Sequence, residues 1–220
     1  MATSAPSERS RVRRAPARAD YDRATIDAVL DEGLVAHLGF AVDGQPYVIP
    51  TLHARIGDEV FVHGSAASRM VTLLGAGLPV CLTVTLVDGL VLARSAFHHS
   101  MNYRSVVVLG TARFVEGPEQ RERALEAFTE KLLPGRWDEV RPPSRQELKG
   151  TRVLALPLDE ASAKVRTGGP VDDAEDYASD AWAGVVPLRL TPGAAEPDAR
   201  LRDGIAVAPS VTSWLGDEPA

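Results

Sequence analysis

A chain of 220 residues with 45% hydrophobic and 25% charged side chains can bury one sizeable core and stay in water. Its formal net charge of -6 argues against a dedicated nucleic-acid binder, and its single cysteine, Cys81, excludes an internal disulfide and a cysteine-rich metal centre. No apolar run approaches the ~20 residues that span a bilayer, and no apolar leader follows Arg13-Arg14, so the expected setting is a reducing cytoplasm with no membrane partner.

Residues 1–19 are basic and rich in Ser, Ala and Pro, which reads as a disordered tail. From Tyr21 to Glu32, Ile26, Val29 and Leu30 recur at helical spacing and Gly33 supplies a stop. Three runs follow, LVAHLGFAV, QPYVIPTLHARI and EVFVHG, separated by the turn pairs Asp43-Gly44 and Gly57-Asp58. They predict three strands joined by hairpins. SAASRMVTLLGAG then changes to helical periodicity, and PVCLTVTLVDGLVLA resumes strand character. SVVVLGTARFVE predicts a strand pair or one bent strand, with Gly110 a candidate bulge. Pro118 opens a helix carrying Leu125, Phe128 and Leu132, the polar stretch from Trp137 to Lys149 reads as loop, and TRVLALPLDEASAKVR supplies the last strand or strands. Gly, Pro and Asp rise from Thr167 onward, interrupted by WAGVVPLRL, and the acidic run Asp172–Asp180 reads as a solvated loop.

About six mainly antiparallel strands with a few short peripheral helices predict a mainly β, six-stranded antiparallel split β-barrel. The domain is expected over residues 20–190, with an extended C-terminal arm over 191–220, a kind of segment that often packs on a partner subunit. No G-x-G-x-x-G or P-loop sequence occurs, so a nucleotide needs another holding device.

The segment Leu90–Gly110 sets Arg94, Ser95, His98, His99, Ser100, Asn102, Tyr103, Arg104 and Ser105 between two β-branched runs. Polar groups buried beside strands need partners, and this mixture of guanidinium, hydroxyl, amide and imidazole suits a phosphorylated ligand such as a nucleotide cofactor. A second element, FVHGSAASRMVTLL, ends a strand at His63-Gly64 and opens a helix near Ser65, Ser68 and Arg69. Free amides, hydroxyls and a guanidinium there suit a phosphate, beside the plainer reading of an ordinary capped helix. No metal site is expected, because His98 and His99 point to opposite faces if they lie on a strand and no other ligand cluster surrounds them. No nucleophile triad is evident either. Trp182 suits packing on a planar ligand or a subunit interface.

On the pieces YDRATIDAVLDEG, GQPYVIPTLHARIGDEVFVHGSAASRM, DGLVLARSAFHHSMNYRSVVVLG and SAKVRTGGPVDD, the sequence resembles the pyridoxamine 5'-phosphate oxidase-related flavoproteins, particularly the nitroimidazole-resistance branch. The resemblance implies an FMN-binding split barrel, a homodimer with flavin sites at its interface. It implies that Pro50 and Thr51 run along the flavin ring and that His63, Gly64, Ser65, Ser68 and Arg69 form the phosphate end. Asn102, Tyr103, Arg104 and Ser105 would complete the ribityl and phosphate contacts, with the other subunit contributing. His63 or His98 would serve as the catalytic proton donor to a small planar or nitro-aromatic substrate. Other members of the family use a deazaflavin or haem. The C-terminal stretch APSVTSWLGDEPA lacks the arginine and histidine with which true pyridoxamine-phosphate oxidases grip their substrate. The expected function is therefore an FMN-dependent oxidoreductase, nitroreductase-like, with a non-enzymatic flavin or haem carrier or sensor as the alternative.

Overall fold

The computed structural model describes residues 4–216. In chain order the elements are β1 (Ala19–Asp20), α1 (Arg23–Glu32), β2 (Val35–Val42), β3 (Gln45–Ile56), β4 (Glu59–Ser65), α2 (Arg69–Gly75), β5 (Pro79–Leu92) and β6 (Ser100–Thr111). They continue as β7 (Arg113–Phe114), α3 (Pro118–Leu132), α4 (Arg145–Gly150), β8 (Thr151–Pro157), β9 (Ala161–Arg166), β10 (Gly184–Pro187) and α5 (Pro209–Gly216).

Every ladder is antiparallel, and the hydrogen-bonded order is β1-β9-β6-β5-β2-β3-β4-β8-β7, with β10 added to β5. The mainly β architecture matches expectation; the strand count does not. Ten strands replace the expected six, and among the described residues no ladder joins β1 to β7, so the path is open. The additional strands are short edge pairs such as β1 on β9 and β10 on β5, whose partners lie far away in sequence where local periodicity cannot reveal them. The predicted bent strand is broken at Ala112: β6 lies between β5 and β9, whereas β7 pairs with β8. The bulge falls between Val87 and Gly89 rather than at Gly110. Gly110 instead permits close packing, since a Cβ there would lie 2.9 Å from Leu156 Cδ1.

The Asp43-Gly44 hairpin has φ of 50° and 80°, the left-handed pair that joins twisted strands most tightly. Alternation then sends Ala36, Leu38, Leu82, Val84, Val106 and Val108 into one core, with Leu30 of α1 among them. A second apolar cluster lies on the other side of β4 and β8, where Phe61, Val153 and Ala155 meet Ala124 and Phe128 of α3. With both faces covered, β8 is buried continuously from Val153 to Leu156.

α1 starts on Asp22, whose carboxylate accepts from the Ala24 amide, and stops at Gly33 against the sheet. A Cβ at Gly33 would sit 2.3 Å from Cγ1 of the buried Val84 and 3.1 Å from the Val29 carbonyl oxygen. Neither neighbour can yield, so Gly33→Ala is expected to cost about 1–3 kcal/mol of stability, read as a lower urea midpoint at unchanged slope. Ahead of β1, Val12 donates its amide to the Tyr21 hydroxyl at 2.9 Å and Ser10 is buried. At the other end, Ser210 of α5 bonds to the Glu139 carboxylate through both its amide and its hydroxyl.

Candidate functional site

Phe61 and His63 share one face of β4, the face that α3 covers. The His63 ring lies 4.5 Å from that of Phe128, and its Nδ1 is buried with no hydrogen-bond partner. Burial pushes the imidazole below its ordinary pKa, so His63 is neutral at physiological pH. It opens onto a pocket of about 450 Å3 whose other walls include Leu125 and Thr129 of α3, Trp137, Arg141 and Thr151. This size falls within the range of small-molecule sites. At the rim, Arg141 donates to both carboxylate oxygens of Glu147 at 2.8 and 2.7 Å, while Glu147 completes a capping box with Ser144 at the start of α4. The Arg141 guanidinium, followed by the Ser144 bonds, holds the Glu147 carboxyl well below the usual range. Since Nδ1 is itself buried, a metal or a proton in the pocket would meet the other ring nitrogen of this neutral imidazole.

The turn after His63 carries the rest of the predicted phosphate end. Gly64 packs closely, as a Cβ there would approach Val71 Cγ2 to 2.8 Å. Ser65 accepts from the Ala67 amide, and Ser68 occupies the cap position of α2 with no side-chain cap bond. Arg69 is exposed, with its guanidinium 5.1 Å above the Tyr47 ring.

The polar row on β6 finds many of its partners within the chain. Arg104 donates to Asp88 and to both oxygens of Glu32, which raise its already high pKa further. Ser105 donates to the Lys164 carbonyl at 3.3 Å, and Asn102 Oδ1 accepts from Arg166. Nearby, Arg94 is bound by Asp172, whose side chain is fully buried; this residue of the acidic run is thus an internal counter-ion and not part of a solvated loop. His98 Nε2 lies 3.3 Å from Asp173, and Asp176 brings a third ligand atom within 4.8 Å of both. Trp182 is exposed beside Gly184.

These groups do not meet in one pocket of the single chain. Pro50 pairs with His37, His37 with Thr83 and Thr83 with Val107, so Pro50 and the Ser105 region stand three strands apart on one sheet face. At ~4.8 Å per strand that is roughly 14 Å. Thr51 points to the opposite face from Pro50, toward the side of Ala36. His63 and Arg69 occupy a different edge from His98 and Trp182. Sequence reasoning passed over the pocket walls Trp137, Arg141 and Thr151, the buried His53, and Arg166.

Comparison with known proteins follows the fold. A family model described as pyridoxamine 5'-phosphate oxidase matches residues 22–165. The chain is similar to the flavocytochrome Anf3 from Azotobacter vinelandii, with 42% identity over 96% of this chain and 99% of that one and a TM-score of 0.90. It is also similar to an FAD- and haem-binding protein from Mycobacterium smegmatis, with 36% identity over 90% and 97% of the two chains and a TM-score of 0.86. A Bacteroides thetaiotaomicron protein named for 5-nitroimidazole antibiotic resistance shares the fold at 22% identity, 67% and 86% coverage and a TM-score of 0.57. No curated protein matches the chain. Both the family model and the two relatives above 30% identity place the greater part of the sequence in one lineage, and the chain belongs to the pyridoxamine 5'-phosphate oxidase-like family.

Proposed function

We propose that this protein is a flavin-dependent oxidoreductase that also carries haem, with His63 as an iron ligand. The observation that carries the reading is the neutral His63 imidazole lining the pocket walled by α3, Trp137 and Arg141. Support comes from the two relatives named for a flavocytochrome and for FAD and haem binding, which align over nearly the whole chain. The residues fit a haem: the imidazole supplies the ligand, and Leu125, Trp137 and Val140 supply apolar wall, while Arg141 is held at the rim by Glu147. When bound, the flavin supplies hydride and electron transfer and the haem iron one-electron chemistry.

The flavin is proposed to be FAD in place of the expected FMN, bound where a second copy of the chain completes the site. Pro50 and the Asn102–Ser105 region lie on one sheet face roughly 14 Å apart, within the reach of an extended dinucleotide. The same sheet face presents Val35, Val48 and Val87, all substantially exposed, as material for a homodimer contact. A small planar acceptor, nitro-aromatic compounds among them, and a cytoplasmic setting complete the proposal. No described helix is long and apolar enough to cross a membrane.

An absorption spectrum of the freshly purified protein, followed by mass determination of released chromophores, tests this directly. Flavin bands together with a Soret band and an FAD mass are expected. A Soret band alone would favour a haem carrier, an FMN or deazaflavin mass would correct the flavin, and a colourless protein would overturn the proposal.

A further inference from the structure

Residues 93–99 connect β5 to β6, residues 167–183 connect β9 to β10, and Arg94 clamps the two connections together. Its amide and its guanidinium donate to the two carboxylate oxygens of the buried Asp172 at 2.9 and 3.0 Å, and its guanidinium carbon lies 4.8 Å from the centre of the Tyr177 ring. Charge-assisted bonds of this kind are the strong ones, so the second connection is gripped on either side of the segment Asp173–Asp176.

Between those grips the backbone makes a 3-10 turn, Ala174–Ala178, in which the Asp176 amide donates to the Asp173 carbonyl at 3.0 Å. Three residues per turn place positions i and i+3 one above the other, so Asp173 and Asp176 present their carboxylates on the same side. His98 ends a similar turn in the first connection, Ala96–His98, whose start is fixed by the Ser95 hydroxyl accepting from the Phe97 amide at 3.3 Å. The His98 Nε2 lies 3.3 Å from Asp173 Oδ2, and one ligand atom from each of His98, Asp173 and Asp176 falls within 4.8 Å of the other two.

Zinc binds imidazole nitrogen and carboxylate oxygen at about 2.0–2.2 Å, which sets the ligand atoms of a tetrahedral ion roughly 3.4 Å apart. The His98–Asp173 separation is already close to that value, and rotation of the Asp176 carboxylate closes the rest. The stretch from Thr167 to Leu188 holds five Asp and Glu and no Lys or Arg, so its field draws cations. The imidazole decides which cation. A nitrogen donor beside two carboxylates, with no thiolate, disfavours Mg2+ and Ca2+, which take oxygen, and Cu(I), which takes sulfur.

We propose that His98, Asp173 and Asp176 form a divalent metal site of the zinc class, with a coordination position left to water or an anionic ligand. The ion ties the acidic connection to the one between β5 and β6. His99 takes no part, because its Nδ1 is engaged by the Ser95 carbonyl at 2.9 Å. None of the three ligands lines the His63 pocket, so the site stands whichever cofactor the protein carries.

Calorimetric titration of the chelator-stripped full chain with zinc tests the assignment. Wild type is expected to bind one ion that His98→Ala and Asp176→Asn each weaken about 100-fold or more, since losing even a group that only orients a ligand costs about 10- to 100-fold. Asp180→Asn, which removes the same charge from the same acidic run outside the cluster, and His99→Ala are expected to leave the affinity unchanged. All four side chains are exposed or half-buried, so the variants keep the fold. Zinc should accordingly raise the Tm of wild type, Asp180→Asn and His99→Ala, and not that of His98→Ala or Asp176→Asn. No zinc bound by wild type, undiminished binding in His98→Ala, a loss in Asp180→Asn equal to that in Asp176→Asn, or calcium bound as tightly as zinc would overturn the site.

Discussion

Replacing His63 with leucine is expected to remove the Soret band of the purified protein while its flavin stays bound. His63 touches the Phe128 ring and lines the pocket, and its Nδ1 has no partner. Leucine has comparable bulk and no polar atom to desolvate, so the fold should be at least as stable as before. What is lost, on the proposed haem reading, is the ring nitrogen that would bind the iron. Removing groups that merely orient a metal ligand typically costs 10- to 100-fold in affinity, so deleting the ligand itself should reduce haem retention by at least about 100-fold. The haem-to-protein ratio checks this, and His63→Gly with added imidazole should recover the band. Because burial keeps His63 below its ordinary pKa, ligation should also persist when the pH falls below that of a free imidazole's titration. Full Soret intensity in His63→Leu would place the iron on another residue.

The strand and helix pattern was largely legible because apolar alternation and turn chemistry are local. The Asp43-Gly44 hairpin, the helix opening at Pro118 and the long strand containing Cys81 all lie where the periodicity puts them. The site was less legible because its geometry depends on contacts distant in sequence. Arg94 reads as a residue awaiting a ligand until Asp172 arrives from 78 positions away, and Arg104 until Glu32 and Asp88 close on it. Trp137 and Arg141 belong to a stretch that looks like polar loop, and only the packing of α3 and α4 turns it into a pocket wall. Two residues did leave a signal. His53 interrupts the apolar alternation of its strand, and Arg166 ends a strand that alternates buried Ala161 and Ala163 with polar Ser162 and Lys164.

Between pH 6.5 and pH 4 the protein is expected to lose about 3 kcal/mol of folding stability through His53 alone. His53 is fully buried, and its Nε2–H donates to the Leu30 carbonyl at 2.9 Å, one of the orphan acceptors at the end of α1. Lys131 reaches the same carbonyl at 2.6 Å and the Asp31 carbonyl at 3.1 Å. Burial first, then the Lys131 charge, pushes the His53 imidazole down to about 4, while burial brings Lys131 itself to about 8, still protonated throughout this window. The unfolded chain, with an ordinary histidine, takes up a proton near pH 6.5 that the folded chain refuses until about pH 4. Stability from this group is therefore complete above pH 6.5 and declines as the pH falls toward 4, with no further slope below. Urea unfolding at pH 7 and pH 4.5 measures the difference. His53→Gln, which retains a donor for Leu30 and cannot titrate, should flatten the slope; Lys131→Met should flatten it in part, by raising the His53 pKa. Equal slopes in wild type and His53→Gln would mean that the imidazole takes up its proton at the same pH in the folded and the unfolded chain, so that its burial at the end of α1 does not depress its pKa.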